Sequence, residues 1–146
     1  MLQDLLARRF KLAATHTKRE MAVYEMTVVG DGSKLKPWVE PAPGQPLPSG
    51  GLRAAADGGV DRVMVGWHMA TVAAWSGSEL GRPVLDRTGL TGRYYLQLHW
   101  FPRSANIPGV DLIDALRIQY GLKLEPVHRM IDILVVDHVE RTPTEN

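Results

Sequence analysis

Residues 93–101 read RYYLQLHWF, and this stretch is the clearest strand pattern in the chain. Large apolar side chains alternate with other residues along it, as expected for a strand that buries one face. Gln97 and His99 lie on the face that is predicted to contact solvent, together with Tyr95 and Phe101. The face predicted to be buried consists of Tyr94, Leu96, Leu98 and Trp100.

Helix patterns lie on both sides of this strand. Residues 69–80 place several large apolar side chains on one side of a helix. A second helix is predicted between Asp111, whose side chain can cap it, and Gly121, which ends it. We therefore predict an α+β fold, in which short helices pack on small, mainly antiparallel sheets. The other predicted features are strands at 11–17, 21–29, 63–67, 122–124 and 131–139, an extended piece at 81–86, and turns at 18–20 and around His128.

The two ends of the chain resemble each other after a shift of 110 positions. Asp4 then coincides with Asp114, and Arg19 coincides with Arg129. Both ends read helix, short strand, polar turn and long strand, and the middle block, residues 69–101, has the same order. Each such unit has one apolar helix stripe and one apolar strand face, so it needs a neighbour that buries them. The pattern predicts a fold built from repeated helix–strand–strand units.

Proline and glycine divide the chain. Residues 30–59 contain five prolines and are predicted to form a long loop or linker, since proline lacks an amide donor and glycine loses much entropy when ordered. Trp38 and Val39 are the candidate apolar pair to hold this loop against the body. The predicted organisation is one compact domain made of a helix plus hairpin unit at 1–29, the linker at 30–59, the main body at 60–141 and a polar tail at 142–146.

The composition is that of a folded protein. The 146 residues are 45% hydrophobic and 23% charged, which excludes wholesale disorder. Cysteine is absent, so disulfides and a cysteine nucleophile are excluded. A formal net charge of +1 gives no general attraction for nucleic acid, and no apolar run is long enough to span a bilayer. We expect neither nucleic-acid binding nor membrane insertion, and an amphipathic helix at 2–9 rather than an export signal.

Four stretches carry a family resemblance. Residues 81–94, GRPVLDRTGLTGRY, resemble the signature of a soil-associated, acidobacterial family of unknown function. Residues 1–24 resemble the same family, as do GLKLE at 121–125 and DHVE at 137–140. The resemblance covers nearly the whole chain except the proline-rich segment.

This resemblance implies a sensing or docking role. Family members usually carry an export signal, which implies an extracytoplasmic location, although this chain shows no signal-peptide pattern. Some relatives are fused behind membrane-embedded sensor peptidases. The helix–strand–strand units are also similar to the short N-terminal signalling domains of secretins and outer-membrane transducers, which bind proteins and have no catalytic residues. The family supplies no catalytic set to carry over.

A binding site is predicted around the signature loop and the strand that follows it. Glycines allow the backbone to approach an anion closely, and arginines lie beside them. The alternative is a tight connection in which Asp86 and Thr88 bond to backbone amides. The predicted ligand-binding residues are Arg87, Gly89, Gly92, Arg93, Tyr95 and His99.

Catalytic candidates are weaker. Asp137 and His138 are neighbours, so their side chains point to opposite faces of a strand and cannot pair with each other. The histidines lack metal-binding spacing, and we predict no metal and no cofactor. A calcium ion held by acidic residues, such as those in the Asp57–Asp61 loop or Asp111 and Asp114, belongs only to the hydrolase alternative given below. The catalytic candidates are His99, His138, Asp137 and Ser76.

Two functions of different classes follow from these residues. We predict a non-catalytic protein-interaction or sensing module whose partner is another protein. Binding would use the exposed strand face near His99 or an open sheet edge. The alternative is a small metal-assisted hydrolase that acts on lactones or simple esters, so the sequence leaves open whether the protein is an enzyme.

Overall fold

The structure, a computed structural model, describes Asp4, Arg8, Phe10, Lys11, residues 13–32 and residues 34–139. Small, mainly antiparallel sheets and short helices make up these residues, which confirms the predicted α+β class. The elements are β1 (Ala13–Val28), β2 (Lys36–Pro37), β3 (Gly51–Ala54), β4 (Val60–His68), α1 (Met69–Leu80), β5 (Val84–Asp86), β6 (Arg93–Trp100), a 3-10 turn (Arg103–Ala105), α2 (Leu112–Tyr120) and β7 (Leu122–His138).

The chain divides into two compact units. The central unit spans Ala22–Val127, and the terminal unit contains the residues up to Met21 and those from His128 onward. In the terminal unit, Thr15 Oγ1 donates a hydrogen bond to Asp137 Oδ2 at 2.9 Å. The predicted organisation, with boundaries at residues 29, 59 and 141, stays a prediction.

A four-stranded antiparallel sheet forms the centre of the central unit. Its strand order is β2, β6, β4 and β3. A β-bulge at Gly66, whose φ is +64°, adds one residue to β4 between Val65 and Trp67. Residues opposite each other in this sheet share a face, so Asp61 of β4 and His99 of β6 lie on the same side.

The other side of this sheet, the core face, packs on α1 and α2 in one hydrophobic cluster. Leu96 and Leu98 are fully buried there, as the alternation of residues 93–101 predicts. Truncation of a buried leucine such as Leu98 to alanine would cost ~2–5 kcal/mol. Other fully buried side chains in the cluster are Met26, Met64, Val72, Leu116 and Leu122.

The bounds of both helices follow from their end residues. Helix α1 covers the predicted residues 69–80 and ends at Gly81, whose left-handed backbone directs its N–H to Gly77 O. Helix α2 begins after Asp111, whose side chain accepts a hydrogen bond from Asp114 N at 3.0 Å. Gly121 ends α2 in the same left-handed conformation as Gly81, with φ near +69°.

Two predicted turns are wrong. β1 runs without interruption from Ala13 to Val28, where the sequence pattern suggested a hairpin with a turn at 18–20. That turn segment is charged but contains no glycine, proline, asparagine or aspartate, and its exposed charges are compatible with a strand. β7 likewise continues through His128, because proline at position 126 is tolerated in a strand at the edge of its sheet.

The proline-rich segment is attached to the sheet at two places. β2 pairs with β6, and β3 pairs with β4. Leu35 is buried, and the Trp38 ring stacks on Tyr95 with 6.2 Å between ring centres. The predicted anchoring role of Val39 is wrong, because its side chain is 79% exposed. The predicted tail at 142–146 lies outside the described residues, as does most of the predicted helix at 2–9, of which Asp4 and Arg8 are helical.

Candidate functional site

The outer edge of β6 has a hydrogen-bond partner at every second residue. In an antiparallel ladder, alternate residues direct both N–H and C=O to the same side. Tyr95 directs these groups to Lys36 of β2, but β2 is only two residues long. Beyond it, other groups take the place of a neighbouring strand. Trp38 N–H donates to Arg93 O, and Phe101 N–H donates to Val110 O. Between them, the Tyr120 side chain bonds to the backbone of Gln97, and the Gln119 side chain bonds to that of His99.

Two side chains of α2 imitate the backbone of a strand. Tyr120 Oη accepts a hydrogen bond from Gln97 N at 2.6 Å and donates one to Gln97 O at 3.0 Å. Gln119 Oε1 accepts from His99 N at 3.2 Å, and Gln119 Nε2 donates to His99 O at 2.6 Å. Burial raises the pKa of the Tyr120 hydroxyl, although its contact with the Gln97 backbone opposes that rise. This edge is therefore closed to a further strand.

The opposite edge of the same sheet, β3, is open in the described part of the chain. Ala55 N–H donates to Gly59 O at 2.9 Å, which fixes the phase of the ladder with β4. Because bonded and non-bonded pairs alternate, Leu52 and Ala54 direct their N–H and C=O groups away from β4. No described residue forms a hydrogen bond with these groups, and Leu52 is 51% exposed.

An arginine lies on each face of the sheet beside this edge. Arg53 is opposite Asp61, which places it on the outer face with His99. Arg62 is opposite Leu52 and Leu98, which places it on the core face. The open edge thus combines unpaired backbone groups, an exposed leucine and two cationic side chains.

His99 lies between two carboxylates on the outer face. Its Nδ1 is 2.7 Å from Asp61 Oδ1, and its Nε2 is 3.2 Å from Asp57 Oδ2. The hydrogen bond with Asp61 raises the pKa of His99; burial opposes this rise, and the charge of Asp57 adds to it. Because both ring nitrogens are used, the imidazole ties the loop that carries Asp57 to β6.

The signature loop has the tight internal bonding that the alternative interpretation describes. Asp86 Oδ1 accepts hydrogen bonds from Thr88 N at 2.9 Å and Thr88 Oγ1 at 2.7 Å. Thr88 Oγ1 in turn accepts from Leu90 N at 3.2 Å. Arg87 lies 3.7 Å from Glu25, and exposed Gly89 has a φ of +70°.

The other predicted ligand-binding residues follow this loop. Gly92 O is 3.2 Å from His68 Nδ1, and Arg93 Nε donates to Gly66 O at 2.9 Å. Tyr95 and His99 share the outer face, but Tyr95 is stacked under Trp38. The assignment of all six residues to a ligand stays a prediction.

The catalytic candidates belong to different units: Ser76 and His99 to the central unit, and Asp137 and His138 to the terminal unit. Ser76 is fully buried, and its hydroxyl donates to Val72 O at 2.8 Å. Asp137 accepts from a threonine, and His138 is exposed. Their catalytic roles stay predictions, as does the absence of a cofactor. Within residues 13–32 and 34–139, no group of three acidic or histidine side chains is arranged to hold a metal ion.

The four-stranded sheet, with one open and one closed edge, and its packed helices define an α+β protein. The chain belongs to the family described as protein of unknown function (DUF3738), whose sequence profile matches residues 1–139. Neither the curated proteins nor the solved structures contain a match to this chain. The soil-associated, acidobacterial character of the resemblance stays a prediction. No described helix is long and apolar enough to cross a membrane.

Sequence reasoning missed the residues that distinguish the two edges. Gln119 and Tyr120 follow the apolar stripe of α2 and carry no motif, so only the position of α2 beside β6 reveals their role. β3 lies inside a segment dominated by proline and glycine. A usable signal was present in Gly58 and Gly59, which allow a tight turn between β3 and β4.

Proposed function

We propose that this chain is a non-catalytic protein-interaction module that binds an extended segment of another protein along β3. The observation that supports this proposal is the outward backbone of Leu52 and Ala54, which lacks a hydrogen-bond partner among the described residues. A partner strand would satisfy these groups and extend the four-stranded sheet. Side chains of α2 close the other edge of this sheet, so the proposed partner strand adds at β3 and not at β6.

The edge is favoured over the exposed face near His99. On that face, Trp38 covers Tyr95, and His99 is held by Asp57 and Asp61. These side chains already have partners within the chain. The outward backbone groups of Leu52 and Ala54 have no hydrogen-bond partner among the described residues, and an added strand gains hydrogen bonds without disrupting the pairing of β3 with β4.

Charge favours another protein over a second copy of this chain. Antiparallel pairing of β3 with β3 of another copy would bring two Arg53 side chains close together, and like charges across a strand pair are destabilising. Arg62 adds a second positive charge beside the same edge. An acidic extended segment is the complementary partner, and alternation of its side chains would give the selectivity.

The proposal is tested with a displayed library of linear peptides of about ten residues, the length of a long strand. Binders selected on the wild-type chain are measured against Ala54→Pro, which removes one outward N–H without removing a bond to β4. Ala54→Ser is the matched control, because it alters the side chain and keeps the N–H. We expect Ala54→Pro to weaken binding at least about tenfold and Ala54→Ser to leave it unchanged.

Hydrogen exchange provides a second measurement on the same complexes. Bound peptide should slow exchange of the Leu52 and Ala54 amides, whose N–H groups would enter a ladder. Failure to select any binder, or equal binding by both Ala54 variants, would overturn the proposal. Turnover of a lactone and ester panel that is lost in His99→Ala and in excess chelator would instead establish the hydrolase alternative.

A further inference from the structure

Arg62 is a side chain for which the fold alone gives no hydrogen-bonding role. Its Nε is buried and has no hydrogen-bond partner within the described part of the chain. The guanidinium lies over two indole rings, with its carbon 4.9 Å from the centre of Trp67 and 5.6 Å from that of Trp75. A buried polar group without a partner is costly, and in native structures it calls for an explanation.

The surrounding aromatic cluster fixes the position of this cation. Trp67 and Trp75 meet edge to face with 6.5 Å between ring centres, and Trp75 meets Trp100 in the same way at 5.6 Å. Trp100 is 4% exposed, so the cluster rests on the core. Contact with the ring faces leaves the N–H groups at the edge of the guanidinium available for a carboxylate.

The position of Arg62 connects it to the open edge. Arg62 lies directly opposite Leu52 on the core face. A strand added to β3 would place a residue opposite Leu52 on that same face, two strand spacings or about 10 Å from the Arg62 backbone. A long acidic side chain extended over Leu52 from the added strand would approach the guanidinium where it lies against Trp67 and Trp75. Tryptophan and arginine are also the residue types that most often dominate binding energy at interfaces.

We propose that Arg62, held between Trp67 and Trp75, binds a carboxylate side chain of the partner segment that adds to β3. This inference rests on the proposed function, because the added strand carries the carboxylate to the site. It specifies the partner further: the segment has an acidic residue at the position opposite Leu52. That acidic residue sets the register of the added strand, and the backbone of Leu52 and Ala54 supplies the remaining hydrogen bonds.

The test uses the library-derived peptides in matched pairs. One peptide of each pair has a glutamate at the position expected opposite Leu52, and the other has a glutamine there. Affinity is measured for the wild-type chain and for Arg62→Met, which keeps an apolar stem and removes the guanidinium. We expect the glutamate peptide to bind wild type at least about tenfold more tightly than the glutamine peptide, and the two to bind Arg62→Met equally. Arg62→Lys keeps the charge and should lose most of the preference, because lysine cannot bind a carboxylate in the same planar manner.

Arg53→Met is the matched control, since it removes the same charge from the other face of the same edge. In Arg53→Met, the ratio of affinities for the glutamate and glutamine peptides should fall by less than about threefold relative to wild type, as expected for loss of a screened surface charge. A glutamate preference that survives in Arg62→Met, or that is absent in wild type, would overturn the role of Arg62. If Ala54→Pro still abolished peptide binding in that experiment, the proposal of strand addition to β3 would stand without the role of Arg62. The two proposals can therefore fail separately.

Discussion

Replacement of Tyr120 by phenylalanine removes the hydroxyl that closes the edge of β6 at Gln97. Two hydrogen bonds are lost, at 2.6 and 3.0 Å. Each is worth about 0.5–1.5 kcal/mol in net stability, and because Gln97 is exposed, water replaces part of both. We expect Tyr120→Phe to lower the free energy of unfolding by about 1 kcal/mol. In urea this lowers the transition midpoint by about 0.5 M at an unchanged slope.

Tyr95→Phe is the control for this measurement. The Tyr95 hydroxyl has no hydrogen bond with the described residues, so its removal should change stability by less than about 0.5 kcal/mol. Amide exchange at Gln97 should quicken in Tyr120→Phe and stay constant in Tyr95→Phe. If both variants lose the same stability, or if the Gln97 amide stays equally protected in both, the hydroxyl of Tyr120 does not close this edge.

Three further predictions concern the pH dependence, the helix cap and the bulge. Because the pKa of His99 is raised above 6.5 in the folded state, its stabilising effect is fully present below pH 6.5 and is lost as pH rises through the folded pKa. The urea midpoint of the wild-type chain should therefore fall as pH rises through that pKa, and this fall should be absent in His99→Gln. The same pH profile in both chains would contradict the role of His99. Asp111→Ala should lower the free energy of unfolding in urea by about 1–2 kcal/mol. Asp111→Asn keeps the helix cap and should lower it by less than half of that amount. Equal losses in the two variants would show that the cap is not the source of the stability. Gly66→Ala should cost more than Gly81→Ala, although both have a φ near +64°. A methyl at Gly66 would lie 2.8 Å from Arg93 Nη2 and 3.1 Å from Trp38 Cδ1, whereas one at Gly81 would have no neighbour within 4 Å. Thermal unfolding that ranks the two variants equally would refute the steric contribution.

Local chemistry predicted the parts of the fold that depend on neighbours in sequence. The sequence placed helix α1 at its observed bounds because its apolar spacing repeats within a few residues. The Asp111 cap and the buried alternation of β6 are local in the same sense. The α+β class followed from these elements together.

Features that depend on distant partners were not accessible. The charged segment 18–20 reads as a turn until β1 is seen to continue through it as a strand. Gln119 reads as a surface residue until its amide is seen against the backbone of His99. The pairing of His99 with Asp61 joins residues 38 positions apart, and no spacing rule connects them. The binding assignments at Gly89 and Arg93 stay predictions, because the sequence specifies the loop but not what meets it.

The bulge at Gly66 decides which residues can contact Arg62. Successive residues of a strand point to opposite faces, so Arg62 and Met64 share the core face and Trp67 would belong to the other. One additional residue between Val65 and Trp67 reverses this parity, which brings Trp67 under the guanidinium. If Gly66 were instead paired as an ordinary strand residue, the indole would lie on the opposite side and would not contact Arg62, although every side chain remained in the sequence. The contact between Arg62 and Trp67 is thus encoded in the backbone pairing of β4 as well as in the identity of the two side chains.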